Sequence, residues 1–467
     1  MPEAVLGIDV GTGSLKAGLF TLDGALLDMR QAKYALRSPA DDAQEQDPLD
    51  WWAALSTTCR EIMHASDAHV LALAVAGQAP TLVPVDADLK PTHPAISWLD
   101  PRPSAEAQQL YARLGQTVPV WGSWPAQAAW FTHNRPEALR RTRWLLGCPD
   151  FLTSRLVCAP TALLSITEAE LTAGGLDRRY FPEAWTPGRV IGRVSPAASE
   201  ETGLPVGTPV VGGHVDGLLG VLGSGVKQPG EACANCGTSA TFTVVSEPPL
   251  GYPMFDLHVA GTAANAGAAL NWFIDNLADP GCSYADLFDS AAGIAPGADG
   301  LVFLPTLAGD RGATNDAYAR GAWVGLTLVH TRAHLFRALL EGVAFSFRSM
   351  QDWLESSGAP VRDVRCVGGQ ARSHIWNQIK ADILDRVVLL PRVVEAVAVG
   401  AAILAALGIG AYSDLASAVA AMVRIERRFE PDPDRVAHYA RVFETYRSLH
   451  PTLRETNWRL HELARRS

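Results

Sequence analysis

The chain has no basic excess to offer a polyanion: among its 467 residues, 39 Lys and Arg stand against 49 Asp and Glu, a formal net charge of −10. That balance excludes general nucleic-acid binding, because nothing offsets phosphate repulsion, and any anionic ligand needs a local site. A long apolar run is also missing. Stretches such as 396–407 fall short of the ~20 residues a membrane-spanning helix needs. The N-terminus opens directly on an apolar strand, not on a signal-peptide pattern, so a cytoplasmic protein with no membrane partner is expected. The seven cysteines, an odd number at scattered spacing, give no disulfide framework. Cys233 and Cys236 have C-x-x-C spacing but sit on an expected strand with no second pair or histidine set nearby, so no metal or redox role is assigned to them. Two common phosphate motifs are absent as well. No G-x-x-x-x-G-K-[ST] opens a helix, and Gly11-Thr12-Gly13 leads into a second strand, not the crossover helix of a dinucleotide fold.

What the sequence does contain is a duplication. Gly11-Thr12 and, 226 positions later, Gly237-Thr238 each lie inside a strand-turn-strand pattern. The first runs Val5 to Phe20 and the second Glu231 to Val245. A glycine turn lets backbone N–H groups converge on an anion, and a neighbouring hydroxyl adds a donor. Two such turns in duplicated halves suggest a nucleotide held between two lobes, which suits a chain too long for one compact core. A composition 48 % apolar and 19 % charged is that of an ordinary globular enzyme.

Along the chain, strands are expected over 17–21 and 25–33 around an Asp23-Gly24 turn, then a helix over 49–64 and a strand over 70–76 ending at Gly77-Gln78-Ala79-Pro80. Residues 100–200 read as helix-rich, with tryptophans at Trp121, Trp124 and Trp130. A strand then ends at Gly212-Gly213-His214-Val215-Asp216. The second half restarts near Pro229, with helices over 268–277, 331–356 and 375–384, and a strand over 364–367 that reaches Gly368-Gly369-Gln370-Ala371. A small-residue helix over 395–407 suits close packing, and the charged tail 424–467 reads as an amphipathic surface helix.

These residues resemble the FGGY carbohydrate kinases of the sugar kinase, actin and Hsp70 group, over nearly the whole chain. The resemblance is carried by Gly7-Ile8-Asp9-Val10-Gly11-Thr12-Gly13-Ser14-Leu15-Lys16, Glu45-Gln46-Asp47-Pro48 before Trp51-Trp52, Gly77-Gln78, Ile96-Ser97-Trp98-Leu99-Asp100-Pro101-Arg102, Gly212 to Asp216, Gly237-Thr238-Ser239 and Gly368 to Ser373 with Trp376. Gly321 to Leu326, followed by His334-Leu335 and Ala338 to Glu341, looks like the family's second signature.

The resemblance implies two ribonuclease-H-like α/β domains with mixed sheets flanked by helices and a cleft between them. Residues 1–228 would bind sugar and carry catalysis, and 229–467 would bind nucleotide. It implies ATP and Mg²⁺ as cofactors and phosphoryl transfer to a hydroxyl of a small sugar or polyol. Asp216 takes the general-base position. Asp9, with Asp216, would hold the metal. Gly11, Thr12, Gly13 and Lys16 would face the phosphates from one side, and Gly237, Thr238 and Ser239 from the other. Gly267 and Asn271 would lie near the ATP, with Gly368, Gly369, Gln370 and Ala371 under the adenine and Asn377 at its edge. Gln78, Ala79, Trp98, Asp100 and Arg102 would line the sugar pocket.

The substrate side departs from the pattern. Xylulose kinases usually carry Met-His after the Gly-Gln pair and glycerol kinases Arg-Glu, whereas this chain has Ala79-Pro80; Asn tends to follow the catalytic Asp, and here Gly217 does. A ketopentose such as xylulose and a glycerol- or erythritol-type polyol both stay open as substrates. A non-catalytic sugar sensor and an actin- or chaperone-like ATPase are the readings from other classes. The sequence does not fix the oligomeric state, a homodimer being one option.

Overall fold

The computed structural model describes the chain except for residues 40–42, 120–121, 164, 238–239, 248–251, 255–256, 265, 311–315, 317 and 467. It divides into two units, Met1–Gly223 with Ala396–Val423, and Ser224–Glu395 with Arg424–Ser467.

The sheet of the first unit is ordered Leu26–Lys33, Ser14–Thr21, Glu3–Val10, His69–Gly77, Pro209–Val211, Val190–Arg193. Its neighbours run antiparallel, antiparallel, parallel, parallel and antiparallel. The second unit repeats that series: Leu257–Ala264, Ala240–Ser246, Glu231–Cys236, Asp363–Val367, Val387–Pro391 and Ile425–Phe429, with Tyr252–Met254 added at one edge. The duplication visible in the two Gly-Thr turns is thus a duplication of whole sheets. Glu3–Val10 is apolar and buried along nearly its whole length, as a strand covered on both faces must be. Leu26–Lys33, at the edge, is more exposed and carries Asp28, Arg30 and Lys33, charges that discourage pairing with another chain.

The first helix, Pro48–Ala65, starts where its sequence directs: Asp47 caps the amide of Leu49 at 3.0 Å and Pro48 opens the first turn. Trp51, Leu55, Cys59 and Ile62 form its buried stripe. A small antiparallel sheet of Glu45–Gln46, Ala95–Ile96, Leu82–Val85 and Trp144–Gly147 follows the strand His69–Gly77. It carries Gln46 and the segment 97–102.

Two segments differ from the expectation. The helix Ala396–Gly408 and its continuation to Val423 belong to the first unit, not to a second half that begins at 229. Gly7 of the central strand lies against the Ala398 carbonyl, Gly223 against that of Ala396, and Gly400 against that of Leu219, each too close to admit a Cβ. Backbone-to-backbone packing of that kind leaves only small residues in the sequence. The tail 424–467 begins not as helix but as the strand Ile425–Phe429, which pairs with Val387–Pro391; the helix follows at Pro433–Arg466.

Candidate active site

Three parallel strands of the first unit end side by side, and their ends carry the residues singled out above. Asp9 is in register with Ala76 on one side and Lys16 on the other. Gly77 bridges to Val215, and the Gln78 amide donates to the Val10 carbonyl at 3.0 Å. Asp9, the Gly11-Thr12 turn, Gln78 and Asp216 are thereby gathered at the carboxyl edge of the sheet, where ligands of open α/β sheets bind. Asp216 opens the helix Asp216–Gly223. A Cβ built on Gly13 or Gly217 meets nothing within 4 Å, so open space borders both the turn and Asp216.

Burial dominates the electrostatics. It raises the Asp216 carboxyl to about 7, with the charge of Asp9 adding to the effect and hydrogen bonds from backbone amides, the Gly217 N–H at 2.7 Å among them, opposing it. Burial also raises Asp9 to about 6, against the attraction of Lys16. The phenol of Tyr34 is pushed up by burial and then by Cys148, Asp9 and Asp216. The Cys148 thiol is pushed up by burial and by Asp216. Burial lowers His214 to about 4, and its Nδ1 accepts from the Val215 amide at 2.8 Å. Two carboxyls that titrate near neutrality beside one another form a pair suited to accepting a proton.

The Gly11-Thr12 turn is fixed from behind. Its Gly11 carbonyl accepts from the Tyr34 hydroxyl at 2.5 Å and from Gln78 Nε2 at 3.4 Å. The Thr12 carbonyl accepts from Gln46 Nε2 at 2.7 Å, and Gln46 Oε1 accepts from Gln78 Nε2 at 2.7 Å. The Gly11 N–H is spent inside the hairpin, on the Ser14 carbonyl at 3.1 Å. The expected set of anion-facing donors therefore loses the Gly11 amide and keeps the amides of Thr12 and Gly13, the Thr12 hydroxyl and Lys16. Trp98 Nε1 donates to that hydroxyl at 3.0 Å.

On the expected sugar side, Asp100 and Arg102 are engaged with each other. Arg102 Nε reaches both Asp100 oxygens at 2.9 and 3.0 Å, and a terminal nitrogen reaches Asp100 at 2.6 Å and Glu45 at 2.7 Å. The guanidinium stacks 4.4 Å from the centre of the Trp130 ring. This is a bidentate, braced pair that shapes the segment after Trp98. Ala79 is half-buried and joined by a cis bond to Pro80, whose carbonyl accepts from Gln127 Nε2 at 3.2 Å.

In the second unit, Gly237 follows the strand Glu231–Cys236; Thr238 and Ser239 lie outside the described residues, as does Trp121 of the first unit. Gly267 falls in the helix Ala266–Leu277, and Asn271 is exposed on it, its side-chain oxygen accepting from the Tyr284 hydroxyl at 2.6 Å. Gly368 has φ +84° and stands against the Cys236 carbonyl, 2.7 Å from the place of a Cβ, so only glycine fits. Gly369 borders open space. Buried Asn377 donates through Nδ2 to the Ala371 carbonyl at 2.7 Å, while its Oδ1 and the Oε1 of Gln370 are buried acceptors with no partner among the described residues. Orphaned acceptors at this depth call for a donor.

Tyr34 and Cys148 carry no local signal in the sequence, and Gln46 is read there only as part of a motif. Tyr34, Gln46 and Cys148 reach the site across long sequence separations. Lys380, fully buried, places Nζ 3.2 Å from Cys236 Sγ and 4.0 Å from the Trp376 ring centre. Cys233 and Cys236, three apart on one strand, point to opposite faces, and no group of three or more His, Cys, Asp or Glu gathers among the described residues. Mg²⁺ can be held by one or two carboxylates with water and substrate phosphates, and Asp9 and Asp216 carry carboxylate oxygens that would suit it.

Residues 4–223 match the FGGY family of carbohydrate kinases, N-terminal domain, and residues 232–409 match its C-terminal domain. The chain is 29 % identical to a xylulose kinase of Lactococcus lactis, with 98 % of each chain covered, and 28 % identical to a gluconokinase of Bacillus subtilis, with 96 % of each covered. The crystal structure of xylulose kinase from Rhodospirillum rubrum aligns with a TM-score of 0.83 at 29 % identity, over 97 % of this chain and 100 % of that one. The expected two-domain α/β architecture of the actin-like group is thereby borne out. No described helix is long and apolar enough to cross a membrane.

Proposed function

We propose that this chain, which belongs to the FGGY family of carbohydrate kinases, transfers the γ-phosphoryl group of ATP to a hydroxyl of a small sugar, a ketopentose such as xylulose, or of a polyol. That it is a sugar phosphotransferase follows from the family; the acceptor and the residue roles are the proposal. One observation supports it most: Asp216, at the head of a helix and at the edge of three parallel strands, has its carboxyl raised to about 7. A base of that strength accepts a proton from a hydroxyl as the transition state forms and gives it up again near neutral pH. Asp9, ionising more readily at about 6, is the first candidate to hold Mg²⁺, which when bound would neutralise charge on the phosphates.

The Thr12 and Gly13 amides, the Thr12 hydroxyl and Lys16 would receive the phosphate chain. In the second unit, Asn377 Oδ1 and Gln370 Oε1 lack donors, and the amino group of an adenine passing over Gly369 is a donor of the right kind. A sensor without chemistry has no use for a buried carboxyl held near neutrality. The polyol reading stays open beside the ketopentose one, because Ala79, Pro80 and Gly217 carry no hydrogen-bonding side chain.

Coupled ADP-release assays with ketoses, sugar acids and polyols test the proposal. Sugar-dependent ADP release abolished by Asp216→Asn is the expected result. ADP release that is independent of every acceptor would overturn it.

A further inference from the structure

The hydroxyl of Thr12 is not free to choose its role. An indole N–H only donates, and Trp98 Nε1 stands 3.0 Å from Thr12 Oγ1. Trp98 therefore fills an acceptor site on that oxygen, and the Thr12 proton is left to be given elsewhere. The carbonyls on either side of Thr12 cannot swing to take it. The Gly11 carbonyl already accepts from Tyr34 and Gln78, and the Thr12 carbonyl accepts from Gln46. The amide relay is also unambiguous in direction. Gln46 Nε2 must face the Thr12 carbonyl, so Gln46 Oε1 faces Gln78 Nε2. The turn is thus held as a fixed donor group, with the Thr12 and Gly13 amides beside a hydroxyl whose proton points away from Trp98, next to open space at Gly13.

We infer that Trp98 is a positioning residue for the phosphate chain of the nucleotide: its indole N–H commits the Thr12 hydroxyl to donate to a phosphate oxygen. This rests on the reading that the Gly11-Thr12 turn receives phosphate. It assigns Trp98 a task other than lining the sugar pocket, and it links the segment 97–102 to nucleotide affinity through a single hydrogen bond. Orienting a donor in advance removes an entropic cost from binding.

The test is a double-mutant cycle read by calorimetry, with the non-hydrolysable ATP analogue AMP-PNP and with AMP as probes, both in the presence of Mg²⁺. Trp98→Phe and Thr12→Val are each expected to weaken AMP-PNP by about 2- to 12-fold, the range of one hydrogen bond, and to leave AMP unchanged. The double variant should bind no worse than Thr12→Val alone. Independent, multiplying effects would overturn the inference, as would equal weakening of AMP, which signals general damage. If Thr12→Val weakens AMP-PNP and Trp98→Phe does not, the inference falls and the phosphate reading of the turn stands. If Thr12→Val changes nothing, both fall. Trp98 is half-buried, and Trp98→Met repeats the cycle should the Phe variant not melt cooperatively.

Discussion

Burial, and then the charge of Asp9, lift the Asp216 carboxyl to about 7, whereas Lys16, cross-strand from Asp9, restrains the Asp9 carboxyl at about 6. The two acids are therefore ordered. Asp9 ionises first and keeps Asp216 protonated into the neutral range, the kind of separation that assigns different roles to paired carboxyls.

Replacing the base should separate catalysis from stability. Asp216→Asn is expected to lower turnover by about 10²–10⁴. A carboxyl whose folded pKa is raised favours the folded state at low pH, and that advantage is lost as pH rises from its unfolded value through about 7. Asp216→Asn should therefore melt above the parent protein at pH 8 and at the same temperature at pH 4. Near-normal turnover removes Asp216 from the mechanism. A variant less stable at pH 8 shows that its charge is not a burden on the fold.

The acid limb of the pH–rate profile should respond to metal. The rate is expected to fall below about pH 7 as Asp216 gains its proton. Burial raises Asp216 most and the charge of Asp9 adds to it; a cation at Asp9 cancels that added part, so increasing Mg²⁺ should move the limb to lower pH. Steady-state rates at limiting and saturating Mg²⁺ check this. A limb that stays fixed places the metal away from Asp9.

Much of this was legible in the chain because it is local. Apolar runs between glycine turns marked the strands, Pro48 marked the start of a helix, and the repeated Gly-Thr turn pointed to duplicated halves, whose common strand order only the structure shows. What escaped was set by contacts distant in sequence. Gln46 meets the Thr12 carbonyl and Trp98 its hydroxyl, yet nothing beside either residue announces a partner in the first hairpin. Arg102 reads as a free cation for substrate until Asp100 and Glu45 are seen to hold it. The helix Ala396–Gly408 joins the first unit through glycine contacts whose sequence trace is only a lack of large residues.

Removing the Cys236 thiol from Lys380 should destabilise the second unit, because it strands a buried ammonium. Cys236 is drawn down to about 6 by its hydrogen bond with Cys366 and then by Lys380, against burial. Removing one partner of a buried ion pair typically costs about 3–5 kcal/mol, so Cys236→Ala should lower the denaturant midpoint at pH 9. Because the folded pKa lies below the unfolded one, this contribution is full above the thiol's unfolded value, shrinks as pH falls, and is gone below about 6. Denaturation of both proteins at pH 5.5 and pH 9 should give midpoints that converge at the lower pH. A gap independent of pH means the thiol packs there without its charge.

Acceptor preference is the last expectation, and it rests on three positions without a polar side chain, two after Gln78 and one after Asp216. Ala79 and Pro80 follow Gln78 at the end of the strand His69–Gly77, and Gly217 follows Asp216 with nothing within 4 Å of a Cβ placed on it. The nitrogen of Gln78 is already committed to Gln46 and to the Gly11 carbonyl, and Arg102 is held by Asp100 and Glu45. Hydrogen bonds to substrate hydroxyls discriminate far more sharply than apolar contacts, by factors of about 10⁴–10⁵ in favourable cases. With these three positions offering no donor to an open-chain ketopentose, D-xylulose should be a poor substrate relative to another ketose or a polyol. Steady-state kcat/KM values for D-xylulose, L-xylulose, D-ribulose, L-ribulose, glycerol and erythritol decide the matter. A value for D-xylulose well above all the others would mean that donors from elsewhere in the first unit replace the ones these three positions lack.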